Sequence, residues 1–164
     1  MPDISVVANT SPLLYLHQVG CLKVLQQLYG TVVVPSAVQE ELEVGKRQGI
    51  DVPDVSSLSW VHIRPVASAA LVPAVVDLGQ GEAEVLALGL EIADSLLILD
   101  DQLARRIADL YDLRYTGTLG VLVKAKRAGF LSTVSAVVTA MRERGMWLSE
   151  AIVRDALRLS GELK

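Results

Sequence analysis

The stretch Ser95-Leu96-Leu97-Ile98-Leu99-Asp100-Asp101 constrains this chain more than any other. Its apolar run is too short for a helix and fits a strand covered on both faces, the kind that belongs to a parallel sheet. The run stops at adjacent carboxylates, and a helical pattern from Gln102 to Tyr111 starts directly after them. In an open α/β sheet, ligands bind at the carboxyl ends of the strands. Aspartates at such an end suit a divalent cation, since Mg²⁺ and Mn²⁺ take oxygen ligands. Taken alone the stretch is also, and more simply, a helix N-cap followed by a dipole-matched acid.

The same alternation of strand and helix runs along the chain. Ile4 to Ala8 reads as a buried strand ending at Asn9-Thr10-Ser11-Pro12, with Ser11 as N-cap and Pro12 as first helical residue of a helix reaching Gly20. Leu22 to Tyr29 is a second helix, Thr31 to Val34 a strand, and Ala37 to about Val44 a third helix carrying Glu40, Glu41 and Glu43. Gly45 to Ser59 reads as a loop or short irregular helix, Trp60 to Arg64 as an edge strand, Ala67 to Val76 as one short helix, and Asp77 to Gly81 as a turn. Then come the helix Glu82 to Ile92, the organising strand, the helix 102–111 and a short strand Arg114 to Thr116. Gly117 to Gly120 is expected as a loop into the helix Val121 to Ala128, and helices at about 133–144 and 149–162 complete the chain. This order predicts a three-layer α/β/α sandwich with a mainly parallel sheet of four or five strands. No repeat or linker interrupts it, so the expectation is one domain over 1–164, with the last helices, about 133–162, packing on it or on a second copy.

Composition narrows the function classes. The chain has 164 residues, enough for a substantial core, and no apolar run of transmembrane length. Met1 to Ser11 holds Asp3 and no basic stretch, which argues against a signal peptide. The single cysteine, Cys21, excludes an internal disulfide and a cysteine-based zinc site, and the cytoplasm is the expected compartment. A net charge of −4 supplies no global field for nucleic acid, though it leaves room for a local basic patch. His17 and His62 have no paired ligand at metal spacing and read as structural.

Polar groups fall at the strand ends or just beyond: Asn9-Thr10-Ser11, Glu40-Glu41, Glu82, Asp100-Asp101 and Thr116-Gly117-Thr118. A doubly wound sheet brings such ends to one edge. Acids gathered there repel one another unless a cation sits among them. Gly79-Gln80-Gly81 before a helix lacks the lysine of a P-loop and reads as a plain turn. A nucleotide-binding domain would need a glycine fingerprint after the first strand, and a covalent-aspartate phosphatase an aspartate there. Asn9-Thr10-Ser11-Pro12 is neither.

The ordered set Val7-Ala8-Asn9-Thr10-Ser11-Pro12-Leu13, Val34-Pro35 with Glu40-Glu41-Leu42, Gly81-Glu82-Ala83-Glu84, Ile98-Leu99-Asp100-Asp101 and Thr116-Gly117-Thr118-Leu119-Gly120 resembles the PIN-domain nucleases. Within them it looks like the small prokaryotic PIN-like proteins with N-T-S-P and T-G-T-L-G motifs. The resemblance spans nearly the whole chain. It implies Mg²⁺- or Mn²⁺-dependent cleavage of RNA, and relatives that are often dimeric and often the toxin of a toxin–antitoxin pair. It further implies Glu41, Glu82 and Asp101 as catalytic residues, and Asn9, Glu41, Glu82, Asp100 and Asp101 as metal ligands, with Asp101 the aspartate expected to face the site. Thr10, Ser11, Arg105, Thr116 and Thr118 are then the substrate contacts, with RNA and an antitoxin-like protein as partners. Arg105-Arg106 and Lys124, Lys126 and Arg127 are the cations expected near the site. PIN nucleases usually carry an aspartate where this chain has Asn9. The missing charge lowers metal affinity and opens the alternative of an inactive module that binds RNA or protein.

Overall fold

In the computed structural model, residues 4–164 are described; the Met1–Asp3 part of the signal-peptide reading lies outside them. Five strands, β1 (Ser5–Ala8), β2 (Val32–Pro35), β3 (Val61–Arg64), β4 (Ser95–Ile98) and β5 (Arg114–Thr116), form one sheet in the order β3-β2-β1-β4-β5. Every pairing is parallel. Helices α1 (Thr10–Gln18), α2 (Lys23–Tyr29), α3 (Ser36–Arg47), α4 (Gln80–Glu91), α5 (Gln102–Leu110), α6 (Thr118–Arg127), α7 (Val134–Glu143) and α8 (Glu150–Leu159) cover it as a three-layer sandwich.

The two central strands explain the apolar runs. β4 lies between β1 and β5, so Leu97, Ile98 and Leu99 are buried completely, as are Val7 and Ala8 beside them. Each fully buried Val or Leu side chain contributes about 1.5–3 kcal/mol. β3 is the edge strand expected of its alternating sequence, with exposed His62 and Arg64.

Local boundaries depart from the sequence reading in five places, one being α4, which begins at Gln80 inside the turn expected over Asp77 to Gly81. Asn9, not Ser11, is the N-cap of α1, and the helix begins at Thr10, which puts Pro12 in the third helical position. That position still needs no intrahelical N–H. Helix α3 runs on through Gly45 to Arg47, where a loop or short irregular helix was expected; the glycine is tolerated because Val52 packs where a Cβ would point, 3.2 Å away. Ala67 to Val76 is not a helix: only the short 3₁₀ turn Ala69–Leu71 forms, with none of its residues buried, so no packing rewards a longer one. Thr118 to Gly120 belong to α6 rather than to a loop.

The C-terminal helices pack through Val134, Val137, Val138 and Met141 of α7 and Val153 and Ala156 of α8. Ile152 and Leu159 of α8 are half exposed. Glu162 ties the end of the chain to α7: its carboxylate accepts from Val134 N at 2.7 Å, Ser135 N at 3.1 Å and Thr133 Oγ1 at 3.0 Å, and pairs with Lys126 Nζ at 3.0 Å. Burial alone would raise its pKa, but these donors overcome that and hold it at about 2. Lys126, expected near the candidate site, is thereby committed elsewhere.

Candidate functional site

The winding of the chain reverses between β1 and β4, adjacent at the middle of the sheet with Ala8 opposite Ile98. A crevice opens at the carboxyl ends of strands where this happens. Asn9 stands at that point, 4% exposed, its backbone N–H donating to Ile98 O at 3.2 Å. Although it occupies the N-cap position of α1, its side chain makes no capping bond. Among the described residues, Asn9 Oδ1 is buried with no hydrogen-bond partner. An orphaned buried acceptor costs roughly 1–3 kcal/mol.

Glu41 reaches the same place from α3. Its Oε2 accepts a very short bond from Thr10 Oγ1, and its Oε1 accepts from Gly81 N at 2.9 Å. Gly81 lies in the first turn of α4, and a Cβ there would stand 2.8 and 2.9 Å from the Glu41 oxygens and 3.1 Å from Asn9 Oδ1. The two side chains therefore close over one point, within about 6 Å of each other. Only glycine leaves room for them.

Glu82 follows in α4. Its pKa is raised, by burial first and then by the charges of Asp101 and Glu41, while the N–H groups of Gly79 and of Glu82 itself pull the other way. Asp101 caps α5, with Oδ2 accepting from Ala104 N at 2.9 Å. Asp100 turns to the neighbouring strand end, where Oδ1 accepts from Thr118 N at 2.8 Å and Oδ2 from Thr118 Oγ1 at 2.6 Å. The adjacent aspartates are thus divided: Asp101 acts electrostatically on Glu82, and Asp100 anchors the start of α6.

Other expected site residues take distinct positions. Thr10 bonds Glu41, while Ser11 is half-buried in the first turn of α1. Thr118 is fully buried with both its donors on Asp100, and Thr116 lies at the end of β5. Arg105 is held by Leu99 O, at 2.8 Å from Nε, and lies over the Tyr115 ring at 5.2 Å. Its guanidinium fills the space above Gly117, so that glycine too admits no side chain. A groove of about 1150 Å³ starts at Asp100 and Asp101, passes Arg105, and continues between Lys124 and Arg127 on α6 and Trp147, Ile152 and Leu159 beyond. Lys124 stacks on Tyr29, and Arg127 Nε donates to Leu159 O at 2.9 Å.

Asn9 and Glu41 bring oxygen donors together at the switch point, and Glu82 feels the charges of Glu41 and Asp101. The hardness of these oxygens fits Mg²⁺ or Mn²⁺. The orphaned Asn9 Oδ1 and the mutual repulsion at Glu82 are both relieved by a cation. Among the described residues, no group of three His, Cys, Asp or Glu side chains is placed to hold a metal ion. Sequence reasoning missed Gly81 and Glu84, whose roles lie in contacts between helices. Their only signal was the G-E-A-E run itself.

Compared with known families, residues 5–162 match a family model described as DUF3368, a PIN domain. No curated protein and no solved structure gives a significant match.

Proposed function

The chain belongs to the PIN-domain family, and from that premise we propose that it is a Mg²⁺- or Mn²⁺-dependent ribonuclease hydrolysing RNA phosphodiester bonds at the end of β1 and β4. The observation that carries the proposal is the buried, unpartnered Asn9 Oδ1 facing Glu41, with Glu82 and Asp101 coupled beside them. Asn9, Glu41, Glu82 and Asp101 would hold the cation. When bound, the ion supplies positive charge that polarises the scissile phosphate and eases deprotonation of the attacking water. Glu82, crowded by the charges of Asp101 and Glu41, would be relieved by that positive charge. Glu41 is held toward the site by Thr10 and Gly81, and Asp100 acts through Thr118 by setting the position of α6.

Arg105 stands at the mouth of the groove, and Lys124 and Arg127 lie farther along it. These cations supply the local attraction for a phosphate backbone that a net charge of −4 withholds. The strongly exposed Trp147, with Ile152 and Leu159, gives the groove an apolar wall that supports a second copy or an antitoxin-like protein as partner.

The test is cleavage of end-labelled RNA by purified protein with Mn²⁺. Cleavage is expected to stop with EDTA and in Glu82→Ala and Asp101→Ala proteins, while cleavage that persists in both variants refutes the mechanism. Asn9 favours a second reading, a PIN-like module that binds RNA without cutting it. A wild type that retains RNA, is inert with Mn²⁺ and becomes active as Asn9→Asp establishes that reading instead.

A further inference from the structure

Neither α3 nor α4 is capped by the side chain of its own N-cap residue. The residue before α3 is Pro35 and the one before α4 is Gly79, so neither N-cap has a side chain able to accept from the helix. Free N–H groups in a first turn require acceptors. Each helix obtains one from the other. Glu84 on α4 accepts from Ala37 N in the first turn of α3 at 3.0 Å, while Glu41 on α3 accepts from Gly81 N in the first turn of α4 at 2.9 Å. The second Glu84 oxygen accepts from Gln80 Nε2 at 3.3 Å. The two bonds run in opposite senses along the pair, 37 to 84 and 41 to 81, so they oppose sliding of one helix along the other.

We propose that Glu84 is a positioning residue for Glu41: by fastening the start of α3 to α4, it keeps the Glu41 carboxylate on Gly81 N, beside Asn9 and Glu82. The proposal rests on the metal-centre reading for its functional consequence and on the two bonds alone for its mechanics. Gly81 N supplies half of the anchoring of Glu41, Thr10 Oγ1 the other half. Gly81 and Glu82 are adjacent, so a shift of α4 against α3 alters the spacing of both site acids together. Residues that orient ligands from behind affect metal affinity about 10–100-fold.

Two measurements on Glu84→Ala and Glu84→Gln test this, with Thr133→Ala as a control that loses the cap of α7, far from the site. In amide hydrogen exchange, Glu84→Ala is expected to lose protection at Gly81 as well as at Ala37, and Glu84→Gln, which keeps an acceptor oxygen, to restore both. In Mn²⁺ titration followed by electron paramagnetic resonance of the free ion, Glu84→Ala should weaken binding about tenfold or more. Glu84→Gln and Thr133→Ala should stay near wild type. Exchange that rises at Ala37 alone, with unchanged Mn²⁺ affinity, overturns the proposal and leaves Glu84 a plain cap. Equal weakening by Thr133→Ala also overturns it, since the effect would then follow stability. A wild type that takes up no Mn²⁺, while Gly81 still loses protection in Glu84→Ala, refutes the metal centre but upholds the helix clamp.

Discussion

Replacing Asn9 with Asp exchanges a buried neutral oxygen for a buried charge, and the neighbours determine what that does. Asn9 Oδ1 and the Glu41 carboxylate stand within about 6 Å of each other, around the point a Gly81 Cβ would occupy. At an effective dielectric of about 20, two like charges at that separation repel by about 3 kcal/mol. Glu82 and Asp101 add to the penalty. Without metal the variant should therefore melt lower than wild type, by roughly 5–10 °C on the scaling of about 2–4 °C per kcal/mol for a chain of this size. A cation reverses the sign of the same interaction, because the new carboxylate becomes a charged ligand. An ion present at about 100 times its dissociation constant stabilises by about 2.7 kcal/mol. Thermal unfolding in EDTA and across a Mn²⁺ titration separates the two effects. The variant is expected to start below wild type and to gain more from each increment of Mn²⁺. Equal depression with and without Mn²⁺ would show that position 9 is buried but not beside the ion. No depression in EDTA would refute the electrostatic argument at its base.

Glu162 offers a pH test away from the site. Its carboxyl is held at about 2, below its ordinary value, so the stability it supplies is present above about pH 4.5 and is lost as pH falls toward 2. Glu162→Gln should melt lower than wild type at neutral pH, by about 2 kcal/mol for charge-assisted bonds to Val134, Ser135 and Lys126. Its stability should also change less than that of wild type between pH 4.5 and 2, as denaturant titrations would reveal. Asp101 and Glu82 should differ in metal-free melting. Asp101→Ala loses the cap on Ala104 N, worth about 1 kcal/mol, and falls, whereas Glu82→Gln relieves repulsion and rises. A fall in both would count against the crowding of charge at Glu82.

The strands were legible because parallel-sheet burial writes itself as continuous apolar sequence: Leu96 to Leu99 and Val6 to Ala8 admit no other covered structure of that length. Their parallel pairing followed from helices placed between them. What misled was local punctuation. Gly45 and the Gly117-Thr118-Leu119-Gly120 run carry turn residues, yet both lie in or at the start of helices that make contacts beyond their own turns. Val52 packs against Gly45, and Asp100 accepts from Thr118. At the candidate site the residue types were readable, but the partition of Asp100 from Asp101 was not. It depends on which helix start each carboxylate meets, one on α5 and one on α6. Glu84 was invisible for the same reason, since its partner at Ala37 is 47 positions away.

The sequence posed helix capping and metal ligation as rival accounts of these acids, and the geometry shows the capping directly. Glu41 accepts from the first turn of α4, Asp101 from that of α5, and Asp100 from that of α6. Three helix starts therefore point their positive ends at the carboxyl edge of the sheet, alongside α1 behind Asn9. That convergence lets several carboxylates remain close together before any cation arrives, since each is partly neutralised by N–H groups. Both oxygens of Glu41 and of Asp100 are taken up in this way, whereas Asp101 keeps Oδ1 outside its cap and, among the described residues, Asn9 Oδ1 has no donor. Capping then sets the direction of the acids, and the oxygens left over set the chemistry. An acid can be indispensable to folding and to the site at once, so its loss is diagnostic only when stability is compared with and without metal.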